Sequence, residues 1–246
     1  GFGLLKLALQ MDTGSNAAPA HNGGSPIPTP KLGGLIRGLF QRLLPDDELL
    51  AVARRMSADE RRRVLDAYVA TRTNRRHKPG RAFERTSYRF DVLTDYGAFR
   101  DLQRHRLLTI EWQPLTTRHG FTEPEAIREA GAGDDWDRVM AGSAELHDAL
   151  IAAGLGPVAQ YAVAMAYRVR FYMEMNAREA MHLIELRTAP QGHPAYGRVC
   201  QQMHRLIADK AGHKLIADAM TFADHSSVEL ERLGSERQLE KKKTER

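Results

Sequence analysis

Two short stretches of strict alternation, set in a chain otherwise patterned for helices, constrain this fold most. In residues 86–93, Tyr88, Phe90 and Val92 fall on one side and Ser87, Arg89 and Asp91 on the other. In residues 167–175, Tyr167, Val169, Phe171, Met173 and Met175 alternate with Arg168, Arg170, Tyr172 and Glu174. A period of two puts apolar side chains on one face of a strand and polar ones on the other, so both stretches read as half-buried strands. Residues 107–112 add a short strand or extended segment that Pro114 stops. Everything else with a pattern is helical. Residues 35–44 form a short apolar helix with Arg37 and Arg42 outward, and a second helix starts at residues 45–47 and runs to about Met56. Ser57 with Glu60 is a capping box, opening a helix whose apolar face is Val64, Leu65, Tyr68 and Val69. Asp95 caps a helix to about Arg104, and Thr122 with Glu125 is a further capping signature. Residues 134–153 form a long helix closed by Gly154, and residues 176–186 another. Residues 194–211 carry the stripe Val199, Met203, Leu206 and Ile207, and a last helix covers 213–223. This is an α+β fold, long helices packed around a small antiparallel or mixed sheet.

Composition limits the rest. Apolar residues make up 42% of the 246, enough for a buried core, which excludes wholesale disorder. The single Cys200 excludes an internal disulfide framework and a cysteine-built zinc site, and reads as a buried, inert thiol. No apolar run approaches the roughly 18 residues that span a membrane. The net charge is +5, and 28 arginines stand against 8 lysines. Arginine presents a planar fork that grips phosphate and carboxylate bidentately. The bias therefore points to an anionic partner: a nucleotide, nucleic acid or another protein's acidic face.

The ends read differently from the middle. The chain opens Gly1-Phe2-Gly3 without a methionine, which is expected of a fragment or processed product, and residues 2–10 read as the tail of something upstream. Residues 12–31, rich in Gly, Ser, Asn, Ala and Pro, read as a linker. Residues from 229 on are almost wholly charged, with acids mixed among bases, as in a solvated helix or frayed tail. The expected division is residues 1–34 as upstream remnant and linker, 35–228 as the folded domain, and 229–246 as the tail.

Two clusters carry chemistry. The first is Arg104-His105-Arg106 with Thr109, then Thr116-Thr117-Arg118-His119. Where a helix runs into an extended segment, successive side chains diverge, so neighbouring arginines can serve different ligands. Thr116 and Thr117 can donate hydroxyl and backbone N–H groups to phosphate, and Arg118 adds charge. A basic surface turn is the structural alternative. The second cluster is Asn176-Ala177-Arg178 with His182, Glu185 and Arg187. Arg178 and His182 share a helix face, with Glu185 a turn beyond and Asn176 as an N-cap; a solvated salt-bridge row is the alternative there.

Together the clusters resemble the flavin-dependent thymidylate synthases over about residues 75–225. That family's signature runs Arg-His-Arg, two residues, Ser, then Ser-x-Arg-Tyr. Arg104-His105-Arg106 with Thr109 fits the first half, and Thr116-Thr117-Arg118-His119 the second, after a slightly longer spacer. Phe83-Glu84-Arg85 stands where the family has Phe-Glu-His before a strand. Asn176-Ala177-Arg178, His182 and Leu186-Arg187 match a downstream element in order and spacing. The resemblance implies methylation of dUMP to dTMP, with methylene-tetrahydrofolate and NADPH as co-substrates and FAD as cofactor, in a cytoplasmic homotetramer whose sites are shared between subunits. It implies FAD contacts from Arg104, His105, Arg106, Asn176, Arg178 and His182. It implies dUMP contacts from Arg106, Thr116, Thr117, Arg118 and Arg187, with Arg187 facing the uracil ring and Thr116 and Arg187 closest to the chemistry. No cysteine nucleophile and no metal are called for, since the flavin carries the reducing power.

The chain departs from the pattern at Asp101, where the family has Gln, at Glu111, a family Glu out of register, and at Gln160, where the family has a nucleotide-contacting Arg. Two other readings stay open at this point: a non-catalytic domain of the same fold acting in an oligomer, and a basic nucleic-acid-binding protein using residues 61–63 and 72–89.

Overall fold

The structure, a computed structural model, describes residues 46–69 and 72–226. The helix expected over 35–44, the linker over 12–31 and the charged tail from 229 lie outside the described residues. In chain order the elements are α1 (Asp46–Arg55), α2 (Ala58–Val69), β1 (Ser87–Asp95), α3 (Tyr96–Leu102), β2 (Thr109–Trp112), α4 (Glu125–Glu129), α5 (Gly133–Ala152), α6 (Gly156–Ala159), β3 (Arg168–Asn176), α7 (Ala177–Arg187), α8 (Pro194–Asp209) and α9 (Lys214–Asp218). Turns of 3-10 helix stand at Arg81–Arg85, Thr117–His119 and Gln160–Ala162. The class is α+β, helices with one small sheet, as the alternating segments imply. The chain forms two compact units. One takes in the described residues up to Tyr88, Met175–Gly192 and those from Cys200 on; the other is Arg89–Glu174 with His193–Val199.

In the first unit the expected capping box forms. Glu60 N donates to Ser57 Oγ at 3.3 Å, and Glu60 Oε2 accepts from Ser57 N at 2.8 Å. Two backbone donors at the head of α2 are thereby satisfied by side chains. The buried face of α2 carries Val64 and Leu65. Helix α7 is buried on most of its surface, through Ala177, Ala180, Met181, Leu183 and Ile184, and carries Glu179 and Glu185 inward with them. Phe83, Ile207 and Ile216 complete this core.

The last helix of this unit is shorter than its pattern suggests, ending at Asp218 rather than Ala223. Beyond it, Ala219 O accepts from Arg72 Nη1 at 3.4 Å and Phe222 N donates to Glu185 Oε1 at 3.3 Å. Main-chain groups turned toward a buried ion pair cannot also continue a helix ladder, so tertiary bonding overrides local propensity.

The second unit is built on the sheet, ordered β1-β3-β2. Strand β2 runs antiparallel to β3, with Thr109 opposite Glu174 and Trp112 opposite Phe171. Burial alternates along β1 and β3 as read from the sequence. Asp95 caps α3 by accepting from Ala98 N at 2.8 Å. That helix drives Phe99 against the sheet, 4.8 Å between ring centroids from Phe171 and 5.4 Å from Trp112. The solvent face of the sheet pairs with itself. Arg170 grips Asp91 at 3.0 and 2.5 Å, holding that carboxyl below its usual range, and the Arg89 guanidinium stacks 3.9 Å from the Tyr172 ring centre.

Helix α5 ends where Gly154, at φ +76°, lets Leu155 N donate back to Leu150 O at 2.9 Å. The capping role expected of Thr122 is not observed. Pro124 precedes α4 without a side-chain cap, and Thr122 Oγ1 accepts from Arg168 Nε and Nη2, both at 3.0 Å. Phe121 forms a β-bridge with Tyr167, which keeps Thr122 extended beside the strand instead of at a helix start.

Candidate functional site

In the second unit, α3 stops at Leu102, so Arg104-His105-Arg106 lies in the turn between helix and strand, as the sequence suggests. The three side chains diverge. Arg104 is exposed and pairs with Asp101 at 3.2 Å, the residue that replaces the family's Gln. His105 is buried. Arg106 is exposed, and its guanidinium has no partner among the described residues.

Thr116 heads the 3-10 turn Thr117–His119, and its Oγ1 accepts from Arg118 N at 3.3 Å. The Arg118 N–H is therefore engaged within the turn, whereas the Thr116 hydroxyl keeps its own proton for a ligand. The Arg118 side chain is exposed and unpartnered among the described residues. Thr116 and Arg118 line an open cavity of about 600 Å³ together with Leu115, His119, His147 and Gln160, and no carboxylate among the described residues lines it. Gln160 has a structural task here. Its Oε1 accepts from Leu115 N at 3.0 Å and so holds the loop segment that leads to Thr116. His119 Nε2 lies 3.3 Å from Gln113 Oε1. A cavity of this size, with a few convergent polar groups and unbalanced positive charge, suits a small anionic ligand.

In the first unit, Asn176 caps α7, its Oδ1 accepting from Glu179 N at 2.9 Å. Arg178 is about a third exposed (31%) and binds the turn that precedes β1. Its Nε donates to Pro79 O at 3.0 Å and its Nη1 to Glu84 Oε1 at 3.1 Å. Glu84 is held low mainly by its hydrogen bond to Arg81, with Arg178 adding to it. His182 and Arg187 follow on α7, both half-buried. The solvated salt-bridge row does not form around Glu185. That carboxylate is 1% exposed and meets Arg72, 4% exposed, through two bonds of 2.7 and 2.6 Å. The sequence marks the charge of Arg72 but not its burial, because its partner lies more than a hundred residues away. Cys200 is buried as expected, and desolvation pushes its thiol up to about 12.

The cavity residue that sequence reasoning missed is His147. The buried positions of α5 are Gly133, Met140 and His147, a regular stripe that ends in an imidazole. A histidine on the core stripe of an amphipathic helix was the available signal. Within the basic run 72–89, Arg72 is buried in its ion pair, Arg81 pairs with Glu84 and Arg89 stacks on Tyr172, while Arg76, Lys78 and Arg85 are exposed. Among the described residues no helix is long and apolar enough to cross a membrane.

Comparisons with known proteins bear on the family. Residues 39–212 match the sequence model of the Thymidylate synthase complementing protein family. A UPF0159 protein of Chlamydia muridarum (strain MoPn / Nigg) is 34% identical over 189 residues, covering 77% of this chain and 35% of the relative. The UPF0159 protein Ta1429 of Thermoplasma acidophilum is 39% identical over 189 residues, covering 74% and 36%. The chain thus spans about a third of the length of the curated relatives it matches. Among solved structures, the UMP/dUMP methylase PolB from Streptomyces cacaoi bound with 5-Br dUMP shares the fold, with a TM-score of 0.52 at 20% identity, covering 66% of this chain and 82% of that one. The family match takes in the motifs around Arg104–Arg106, Thr116–Arg118 and Asn176–Arg187, and the chain belongs to the flavin-dependent thymidylate synthase family.

Proposed function

We propose that this chain is the nucleotide- and flavin-binding part of a flavin-dependent thymidylate synthase, which methylates dUMP to dTMP with methylene-tetrahydrofolate and NADPH. The observation that carries the reading is Arg118, whose exposed guanidinium, without a partner among the described residues, stands beside Thr116 at a cavity that no described carboxylate lines. Bidentate donation from Arg118 and the Thr116 hydroxyl would hold the phosphate of dUMP. Thr117 and Arg106 are the further nucleotide contacts. Arg187 is proposed to face the uracil ring, where a fixed cation stabilises negative charge as the ring is activated.

The residues of the first unit fit a flavin. Arg178 uses Nε and Nη1 on Pro79 and Glu84, which fixes the fork and leaves Nη2 for a ring carbonyl or phosphate oxygen. Arg178 and His182 would hold FAD, with Asn176 setting the helix start, and Arg104, His105 and Arg106 are the remaining candidates. When bound, FAD supplies the electrons that reduce the transferred carbon to a methyl group. The working form is proposed to be a cytoplasmic homotetramer with sites shared between subunits.

The purified chain should be yellow, and dUMP should change its visible spectrum and speed its oxidation of NADPH. A colourless protein that takes up neither FAD nor dUMP refutes the reading. One observation favours a second reading, a non-catalytic copy of the domain. Gln160, in the register of a family arginine, is engaged with Leu115 N instead of being free for a ligand. That copy would bind flavin or assemble without forming dTMP, so product analysis separates the two.

A further inference from the structure

We infer that His147 is a specificity-determining residue of the Arg118 cavity and that it accepts a hydrogen bond from a sugar hydroxyl of the bound nucleotide. The inference rests on the phosphate-binding reading of that cavity. His147 is 4% exposed and lies on the buried stripe of α5, yet it also lines the cavity. A polar ring at a core position needs its polar atoms matched. One is matched: Nδ1 lies 3.1 Å from Asp148 Oδ1. An ionised carboxylate only accepts, so Nδ1 carries the hydrogen. In the neutral ring Nε2 is then a lone-pair acceptor, and this orientation is fixed by Asp148 as carboxylates fix histidines elsewhere.

Among the described residues Nε2 has no hydrogen-bond partner. It is also not sealed off with the orphaned buried atoms of the core, such as His213 Nε2 and Trp136 Nε1. The ligand must supply the donor that Nε2 lacks. The phosphate of a nucleotide, an ester dianion, has none, and repels a lone pair. A nucleoside monophosphate held at Arg118 has sugar hydroxyls next to its phosphate ester, nearer than any N–H of the base. The cavity is therefore built to prefer a phosphate ester that carries a neighbouring hydroxyl over one that lacks it.

The test compares dUMP with dideoxyuridine monophosphate, which lacks the 3′ hydroxyl, by calorimetric titration of the whole chain. The wild-type protein should bind dUMP about fivefold more tightly, the effect of one neutral hydrogen bond. In His147→Phe that preference should fall below twofold, while affinity for inorganic phosphate stays unchanged. Because His147 is buried, Asp148→Asn gives a second route. Asp148 has a 71% exposed side chain, and an amide no longer dictates the tautomer, so the preference should shrink there too. Equal binding of the two nucleotides by the wild-type protein, or a preference that survives His147→Phe, overturns the inference. A His147→Phe loss that is as large for inorganic phosphate also overturns it, since the ring would then be acting on the phosphate. If neither nucleotide binds and Arg118→Ala changes nothing, the phosphate reading itself has failed, and the inference with it.

Discussion

Breaking the Arg72–Glu185 pair should damage the first unit more than any surface change, and should do so unequally from its two ends. The pair is nearly dry, with side chains 4% and 1% exposed. Removing one partner of such a pair strands a buried charge and typically costs about 3–5 kcal/mol. The surroundings decide where in that range each variant falls. After Glu185→Gln, the Arg72 guanidinium still donates to His77 O at 2.7 Å, Arg75 O at 3.3 Å and Ala219 O at 3.4 Å, and keeps the Phe222 ring 5.2 Å away. That variant belongs near the low end, about 3 kcal/mol. After Arg72→Met, the Glu185 carboxylate keeps the 3.3 Å bond from Phe222 N, and no other partner among the described residues is known for it. This variant belongs near the high end, about 5 kcal/mol. For a protein of this size the melting temperature should fall by about 6–12 °C for the first and about 10–20 °C for the second. Thermal melts followed by circular dichroism, with urea titrations for free energies, measure both. The double change Arg72→Met with Glu185→Leu should recover much of the loss, because no charge is left stranded. Two single variants that each lose less than about 1 kcal/mol, or a double variant no more stable than either, would refute the account.

Three further outcomes follow from other contacts. Asn176→Ala removes the α7 cap at 2.9 Å and should cost about 1 kcal/mol, seen as a lower urea midpoint with an unchanged m-value. Cys200 has its thiol raised from 9.0 to about 12, so its contribution to stability is complete below pH 9 and is lost as pH rises toward 12. The stability difference between wild type and Cys200→Ala should narrow by up to about 1.4 kcal/mol per pH unit in that window, and stay constant below it. Arg118→Ala should leave stability within about 0.5 kcal/mol, since the side chain has no partner among the described residues, yet weaken dUMP binding by about tenfold or more in calorimetric titration.

Local signals were readable in the sequence and long-range ones were not. Asp95, Asn176 and the Ser57–Glu60 box act within three residues, so their physics is contained in the string of letters itself. The alternation in β1 and β3 likewise needs only one buried face. Thr122 and the end of α9 were misread for the opposite reason. Thr122 is held by Arg168, and the chain past Asp218 by Arg72 and Glu185, partners tens of residues or more away. Glu185 itself looks like any surface glutamate in a helical row until the loop carrying Arg72 covers it.

The same distinction divides the motif arginines, and it changes what the arginine excess means. Arg104 is paired with Asp101, and Arg178 with Glu84 and Pro79 O, so these two already have protein partners and act first as struts. Arg118 and Arg106 have none among the described residues. A solvated surface arginine is common and signifies little by itself. An arginine opening on a cavity lined by no acid among the described residues, next to a threonine that keeps its hydroxyl proton, is a different case, because no described carboxylate there offsets the positive field. Motif spacing treats all these arginines alike. Only the inventory of hydrogen-bond partners separates those that already hold the protein together from those with no partner among the described residues, and for that reason the proposed nucleotide site is centred on Arg118.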